Sequence, residues 1–135
     1  RLTTGTLAAA APEAEIWLDG GHNPAAGEAL ADFLSSRPAR PTHLICGMLN
    51  TKDASGYLGP LAACTDGLTA VTIAGADAAL PADTLAQTAR DCGMQAQTAP
   101  SIDAALAAIV AETPQARVMF CGSLYFAGDV LRING

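Results

Sequence analysis

Five short apolar runs, each followed by a stretch with helical spacing, leave this chain few folds to choose from. Ile16-Trp17-Leu18, Thr42–Cys46, Leu68–Ala74, Met94–Thr98 and Arg117–Cys121 have the length and character of strands. After the first, Ala26, Leu30, Phe33 and Leu34 share one side of a helix, with Asn23 as N-cap and Pro24 at the first helical position. Ala54, Tyr57, Leu58, Leu61 and Ala62 keep the same spacing, and Gly59-Pro60 is expected to kink or divide that helix. Pro81 opens a helix carrying Leu85, Ala86 and Ala89, which Gly93 ends. Ser101 caps a helix of Ile102, Leu106, Ile109 and Val110, and Pro114 stops it. Gly122-Ser123 turns into a last helix presenting Leu124, Ala127, Val130 and Leu131, while Ala8 to Pro12 is expected to be a surface connection. Strands alternating with helices in this way predict an α/β fold, a mostly parallel sheet with helices on both faces.

Size and charge narrow the function. The chain has 135 residues, the length of a single domain spanning 1–135. Seven basic residues against a net charge of −6 provide no basic stripe, so neither nucleic acid nor an anionic membrane surface is expected as a partner. No apolar run approaches the ~20 residues that cross a bilayer. Arg1 to Gly5 lacks the apolar stretch of a signal peptide, and without an initiator methionine the start reads as the interior of a longer protein. Cys46, Cys64, Cys92 and Cys121 form no CxxC pair, and two of them lie inside apolar runs. Buried free thiols in a reducing cytoplasm fit this better than a disulfide framework or a zinc site, so no metal ligands are expected here.

Polar chemistry collects where strands end. The three distinctive stretches are Asp19-Gly20-Gly21-His22-Asn23-Pro24, Gly47-Met48-Leu49-Asn50-Thr51-Lys52-Asp53 and Cys121-Gly122-Ser123-Leu124-Tyr125. In a parallel sheet they converge on one edge, the place where open α/β sheets bind ligands. A carboxylate, an imidazole, an ammonium and a hydroxyl would then surround glycines that allow close backbone approach. That set suits a small zwitterionic or polyol ligand, with Lys52 and Ser123 for carboxylates and Asp19 for hydroxyls or an amine. Each residue has a plainer role open to it: Asp19 and Ser123 as helix caps, Lys52 as a solvated charge at a helix start, His22 as a hydrogen-bonded loop histidine. His43, at a strand edge, is taken as structural. There is no GxxxxGK[ST] phosphate loop, no GxGxxG fingerprint and no GxSxG elbow, so the chain alone should neither hold a triphosphate nor form an acyl-enzyme.

In that order and spacing, the three stretches resemble the C-terminal domain of bacterial folylpolyglutamate synthase/dihydrofolate synthase, a branch of the Mur ligase superfamily. The resemblance runs from about Ile16 to Arg132. It implies a Rossmann-like fold of the Mur ligase C-terminal type and an ATP-dependent ligase that adds L-glutamate to dihydropteroate, folates or both through an acyl phosphate. It implies ATP and Mg2+ as cofactors. The phosphate loop, metal ligands and pteroate pocket would lie in an N-terminal ATPase domain absent from this chain. By the same resemblance Asp19 contacts ATP, His22 is the catalytic residue near the incoming glutamate, and His22, Lys52 and Ser123 form the glutamate site. A dianionic amino acid needs charge-assisted donors, and its amine must be neutral to attack. A nearby carboxylate or neutral imidazole can take that proton. The expected partners are L-glutamate, ATP and a pteroyl substrate together with the missing domain; the protein is expected to be a cytoplasmic monomer, and this domain inactive alone.

The family's Trp-Pro-Gly/Ala-Arg segment, with its ATP-contacting arginine, has no counterpart here, and Arg1 stands slightly too close to Asp19 to be that arginine. Two alternatives are a stand-alone Rossmann-type binding module and the C-terminal domain of another Mur-type ligase, such as one acting on a cell-wall precursor. The Gly-Met-Leu and Cys-Gly-Ser stretches argue against the second.

Overall fold

Residues 1–50 and 52–135 are described by a computed structural model. Thr51, inside the second motif, lies outside the described residues. The strands are β1 (Glu15–Leu18), β2 (Thr42–Cys46), β3 (Gly67–Ala70), β4 (Ala96–Thr98) and β5 (Arg117–Cys121). All their pairings are parallel, and the sheet order is β1-β5-β2-β3-β4. The last strand in sequence therefore sits between the first two. Register pairs Trp17 with Met119 across β1 and β5, and Cys46 with Cys121 across β2 and β5.

Among the described residues six α-helices cover the sheet: α1 (Thr6–Ala10), α2 (Pro24–Ser36), α3 (Ala54–Leu58), α4 (Ala82–Asp91), α5 (Ile102–Glu112) and α6 (Leu124–Asn134). The two-residue period of the strands sorts the core into two layers. Leu44, Cys46, Leu68, Met119 and Cys121 face α2, α3 and α4, whereas Ile45, Val118 and Phe120 face α1, α5 and α6. The α/β class, with helices on both faces, is as the alternation of segments implied.

Local signals place most boundaries. Asn23 accepts the Ala26 N–H at 2.8 Å with Pro24 behind it, and Ser101 accepts the Ala104 N–H at 3.1 Å. Gly59-Pro60 divides its helix as expected: α3 stops at Leu58 and a 3-10 turn runs over Gly59–Cys64. Gly93, at φ +92°, ends the turn after α4. His43 is structural, its Nε2 lying 3.0 Å from the Thr69 hydroxyl.

Four expectations are corrected. Ala8–Ala10 belongs to a short helix, α1, because Leu7 is buried against the α5 and α6 layer and draws the segment down. The third strand stops at Ala70; Val71 and Ile73 remain buried, but as a loop in the core layer of α5 and α6. Pro81 is the cap of α4 and not its first residue. In α6 the buried face carries Phe126 and Val130, whereas Leu124 and Leu131 point outward, 68% and 52% exposed. Phe126 sets that phase, since its ring packs where a Gly47 side chain would otherwise stand.

A charge cluster fastens the far end of β1 to β5. Glu15 accepts the Arg117 Nε–H at 3.1 Å, the Arg40 Nη1–H at 3.0 Å and the Trp17 indole N–H at 2.9 Å. Burial opposes ionisation of Glu15. The Trp17 hydrogen bond, the Arg117 hydrogen bond and charge, and the charge of Arg40 outweigh it, lowering its pKa to about 2. A carboxyl held below its unfolded value stabilises the fold above about pH 4.5, and that stabilisation disappears as pH falls toward 2. In urea titrations between pH 5 and pH 2.5, Glu15→Gln should lose less stability than the parent chain. Equal slopes for the two would show that Glu15 is not preferentially ionised in the fold.

The termini meet through Asn134. Its side-chain oxygen accepts the Leu7 N–H at 2.9 Å, and its amide donates to the Thr4 carbonyl at 2.9 Å.

Candidate functional site

The sheet order brings the three motifs side by side, because β1, β5 and β2 are neighbours. Past the end of β1 the Asp19 N–H still donates to the Phe120 carbonyl at 2.9 Å, and past β2 the Gly47 N–H donates to the Cys121 carbonyl at 3.2 Å. The ladders thus run directly into the motif turns. Gly122, at φ +113°, ends β5 between them. A Cβ there would lie 2.6 Å from the Gly47 carbonyl oxygen and 2.7 Å from Cys46 Sγ. Only glycine lets the β5 and β2 ends pass so closely.

On the β1 side, Asp19 is half-buried and its Oδ2 accepts the Gly21 N–H at 3.1 Å. It therefore shapes its own turn, while Asn23 does the capping of α2. His22 is half-buried, and its Nδ1 is shut off from solvent with no hydrogen-bond partner among the described residues. A ring nitrogen left in that state is under-satisfied, which sets His22 apart from a merely packed loop histidine.

On the β2 side, Lys52 is exposed and just precedes Asp53, which caps α3 by accepting the Gly56 N–H at 2.9 Å. The motif loop is tied down on its far side: Asn50 N–H donates to the Ala78 carbonyl at 2.7 Å and Leu80 N–H to the Met48 carbonyl at 2.8 Å. At the end of β5, Ser123 is buried, 3% exposed, and its Oγ accepts the Tyr125 N–H at 3.0 Å. The capping role open to Ser123 is thus real, and its hydroxyl proton remains to be donated. Leu124 and Tyr125 stand out from this edge, 68% and 66% exposed, with Leu124 covering Gly20.

Beside Asp19 a cavity of about 450 Å3 opens between β1 and α2, lined by Trp17, Phe33 and Leu30. Trp17 and Phe33 meet edge to face with centroids 5.0 Å apart, and the Arg37 guanidinium lies 4.9 Å from the Trp17 ring centre. Arg1 reaches the same cavity and stacks 6.0 Å from Trp17. A larger groove of about 850 Å3 lies at the opposite end of the sheet, around Glu13, Arg40 and Pro114. It is open and far from the motif turns, so volume is a poor guide here. Among the described residues no group of three or more His, Cys, Asp or Glu is placed to hold a metal ion.

One buried group at the site escaped the sequence analysis. Tyr57, which the helical pattern assigns to the core, is fully buried, yet its hydroxyl has no hydrogen-bond partner among the described residues. A tyrosine at a core position just after a motif was the one available signal. Cys46 and Cys121, paired in register, are free and fully buried beneath the same turns. The bond to Cys121 and then burial push the Cys46 thiol up, so it is a poor nucleophile.

An all-parallel α/β sheet whose three adjacent strand ends carry glycine turns with an acid, a histidine, a lysine and a serine defines a domain of Rossmann-like class. The sequence profile of the dihydrofolate synthetase C-terminal domain matches residues 6–133, and the chain belongs to that family. This sets aside the cell-wall ligase alternative. No curated protein sequence matches the chain. Among solved structures, Mycobacterium tuberculosis folylpolyglutamate synthase complexed with ADP and AMPPCP is similar at 27% identity and a TM-score of 0.78, over 89% of this chain and 29% of that one. E. coli FolC in complex with ADP, without folate substrate, is alike in fold at 24% identity and a TM-score of 0.76, over 87% of this chain and 28% of that one. A bifunctional folylpolyglutamate synthase/dihydrofolate synthase with Mn, AMPPNP and L-glutamate bound is likewise alike in fold at 24% identity and a TM-score of 0.71, over 85% and 28%. This chain therefore spans less than a third of the length of those proteins. No helix among the described residues is long and apolar enough to cross a membrane.

Proposed function

We propose that the chain is the C-terminal domain of an ATP-dependent ligase that adds L-glutamate to dihydropteroate, folates or both through an acyl phosphate. The observation that carries this reading is the meeting of the three motif turns at the adjacent ends of β1, β5 and β2. In it Asp19 serves ATP: its carboxylate opens on the cavity beside β1 and can accept from ribose hydroxyls. Lys52 and Ser123 hold the carboxylates of glutamate, one as a charge-assisted donor and one as a neutral hydroxyl. His22 is the catalytic residue at the incoming amine. The unsatisfied Nδ1 supports a role for its ring in accepting or relaying the proton that the amine must lose.

ATP supplies the activated phosphoryl group, and Mg2+ accompanies it. The residues here fit a share of the nucleotide, at Asp19, but not the metal, which is assigned to the rest of the polypeptide together with the phosphate loop and the pteroyl pocket. The proposed working form is a cytoplasmic monomer with no nucleic-acid or membrane partner.

A cleft with one wall missing offers half the contacts against the full loss of ligand freedom. The 135-residue chain should therefore bind ATP or glutamate with a Kd in the millimolar range or weaker, about −4 kcal/mol, and release no phosphate above buffer. Calorimetry together with a phosphate-release assay reads both. Micromolar binding of either ligand would favour a stand-alone module, and ATP-dependent turnover by the purified chain would overturn the assignment of the missing parts.

A further inference from the structure

Sheet register assembles a group of side chains that the chemistry above does not use. Cys46 ends β2 and Cys121 ends β5, and the two are Cα partners on adjacent parallel strands. Partners in register project to the same face. Both thiols accordingly lie in the layer under α2, α3 and α4, fully buried and free. Met48, two residues beyond Cys46, enters the same layer and is also fully buried. The space at Gly122 locates them more closely. A Cβ there would lie 2.7 Å from Cys46 Sγ and 2.9 Å from Met48 Cγ, the atom that carries the thioether sulfur. Cys121 is the residue just before Gly122. Two thiols and a thioether thus close on one point beneath the turns that follow β2 and β5.

As core fillers these side chains are ordinary, since free cysteine and methionine both pack as apolar groups. Their convergence is not something packing requires, and it creates a donor set with a definite preference. Thiolate and thioether sulfur select Cu(I), whereas zinc takes four ligands from thiolate, imidazole and carboxylate. The span fits as well. With metal–thiolate bonds of about 2.3 Å, two sulfurs on one ion stand at most about 4.6 Å apart, close to the ~4.8 Å between neighbouring strands. In-register cysteines can therefore share an ion without either strand moving. Until an ion arrives both protons are held, because the bond to Cys121 and burial push the Cys46 thiol up. Only a strongly thiophilic ion displaces them.

We propose that Cys46, Cys121 and Met48 form a binding site for a soft monovalent cation, Cu(I), beneath the motif turns. Binding forms two metal–thiolate bonds and releases two protons, one from each thiol, while the thioether adds a neutral third donor. No electron is transferred. The ion ties the end of β2 to the end of β5, so it acts from below on the turns that carry Lys52 and Ser123. This inference does not rest on the ligase reading.

The test uses this chain under anaerobic conditions with Cys64→Ser and Cys92→Ser, since those two thiols are only partly buried. Cu(I) supplied as its bicinchoninate complex should be withdrawn by one equivalent of protein, with two protons released per ion. Loss of the complex's colour and a pH indicator in weak buffer read the two quantities. X-ray absorption of the loaded chain should show a first shell of sulfur alone, at about 2.3 Å. Cys46→Ala or Cys121→Ala should each weaken binding by about 100-fold or more, beyond the loss caused by an outer-shell partner. Met48→Leu should cost less, about 3- to 10-fold, because it keeps the volume and removes only a weak donor. The sulfur shell and the proton count are read without the alanine variants, so they decide even if an alanine variant fails to fold. Failure to compete with the chelator, nitrogen or oxygen in the first shell, or equal affinity after Cys46→Ala would each overturn the site.

Discussion

Lys52→Met in the assembled ligase is expected to weaken the apparent affinity for glutamate by about 10- to 150-fold. On the proposed role of Lys52, the change removes a charge-assisted hydrogen bond to a carboxylate, roughly 1.5–3 kcal/mol. Lys52 is exposed and lies ahead of the α3 cap, so its loss should not disturb the fold. The KM for ATP and for the pteroyl substrate should stay near the parent values. Initial-rate measurements over a glutamate series decide it, and an unaltered glutamate KM in a folded enzyme would return Lys52 to the role of a solvated charge. Ser123→Ala is a less clean probe, because Ser123 also caps α6. It should lose about 1 kcal/mol of glutamate binding and a similar amount of stability together.

Gly122→Ala should damage the fold itself. An alanine at φ +113° is strained, at roughly 1–3 kcal/mol. Its Cβ would stand 2.6 Å from the Gly47 carbonyl oxygen, which is backbone and cannot swing away. Overpacking of that kind costs about 1–3 kcal/mol more. Domains of this size have about 5–15 kcal/mol in hand, so the Tm should fall by on the order of 10 °C or more. Gly128→Ala is the control: nothing lies within 4 Å of its added Cβ, in the middle of α6, and it should be neutral or slightly stabilising. Similar Tm values for the two variants would refute the close passage of β5 and β2.

The parts legible in sequence were those written locally. Asn23-Pro24, Ser101 and Gly59-Pro60 each act on their own neighbours, so their helix boundaries could be read off. Putting the three motifs on one edge needed only the alternation of strands and helices together with the parallel rule. What stayed hidden depends on residues far apart in the chain. Glu15 meets Arg117 across 102 positions, and neither residue stands out in its own segment. The phase of α6 is set by Phe126 against Gly47, which no periodicity within α6 reveals. Leu7 folds an alanine stretch into α1 only because the α5 and α6 layer is there to receive it. Tyr57 has a perfect helical position for a core residue, and only the packing around it shows that its hydroxyl goes unanswered.

The placement of β5 between β1 and β2 has a consequence for how the protein is made. As the chain leaves the ribosome, everything before Arg117 can supply Asp19 and Gly47 but not the strand that joins them. In the folded sheet residues 117–121 fill the space between β1 and β2, about 10 Å or two strand spacings wide. Asn134, near the far end, then closes on Thr4 and Leu7. A chain that stops before Arg117 thus carries the first two motifs but neither the third nor the strand that joins them. Loss of β5 alone would therefore separate the turns after β1 and β2, whatever else of the domain were present.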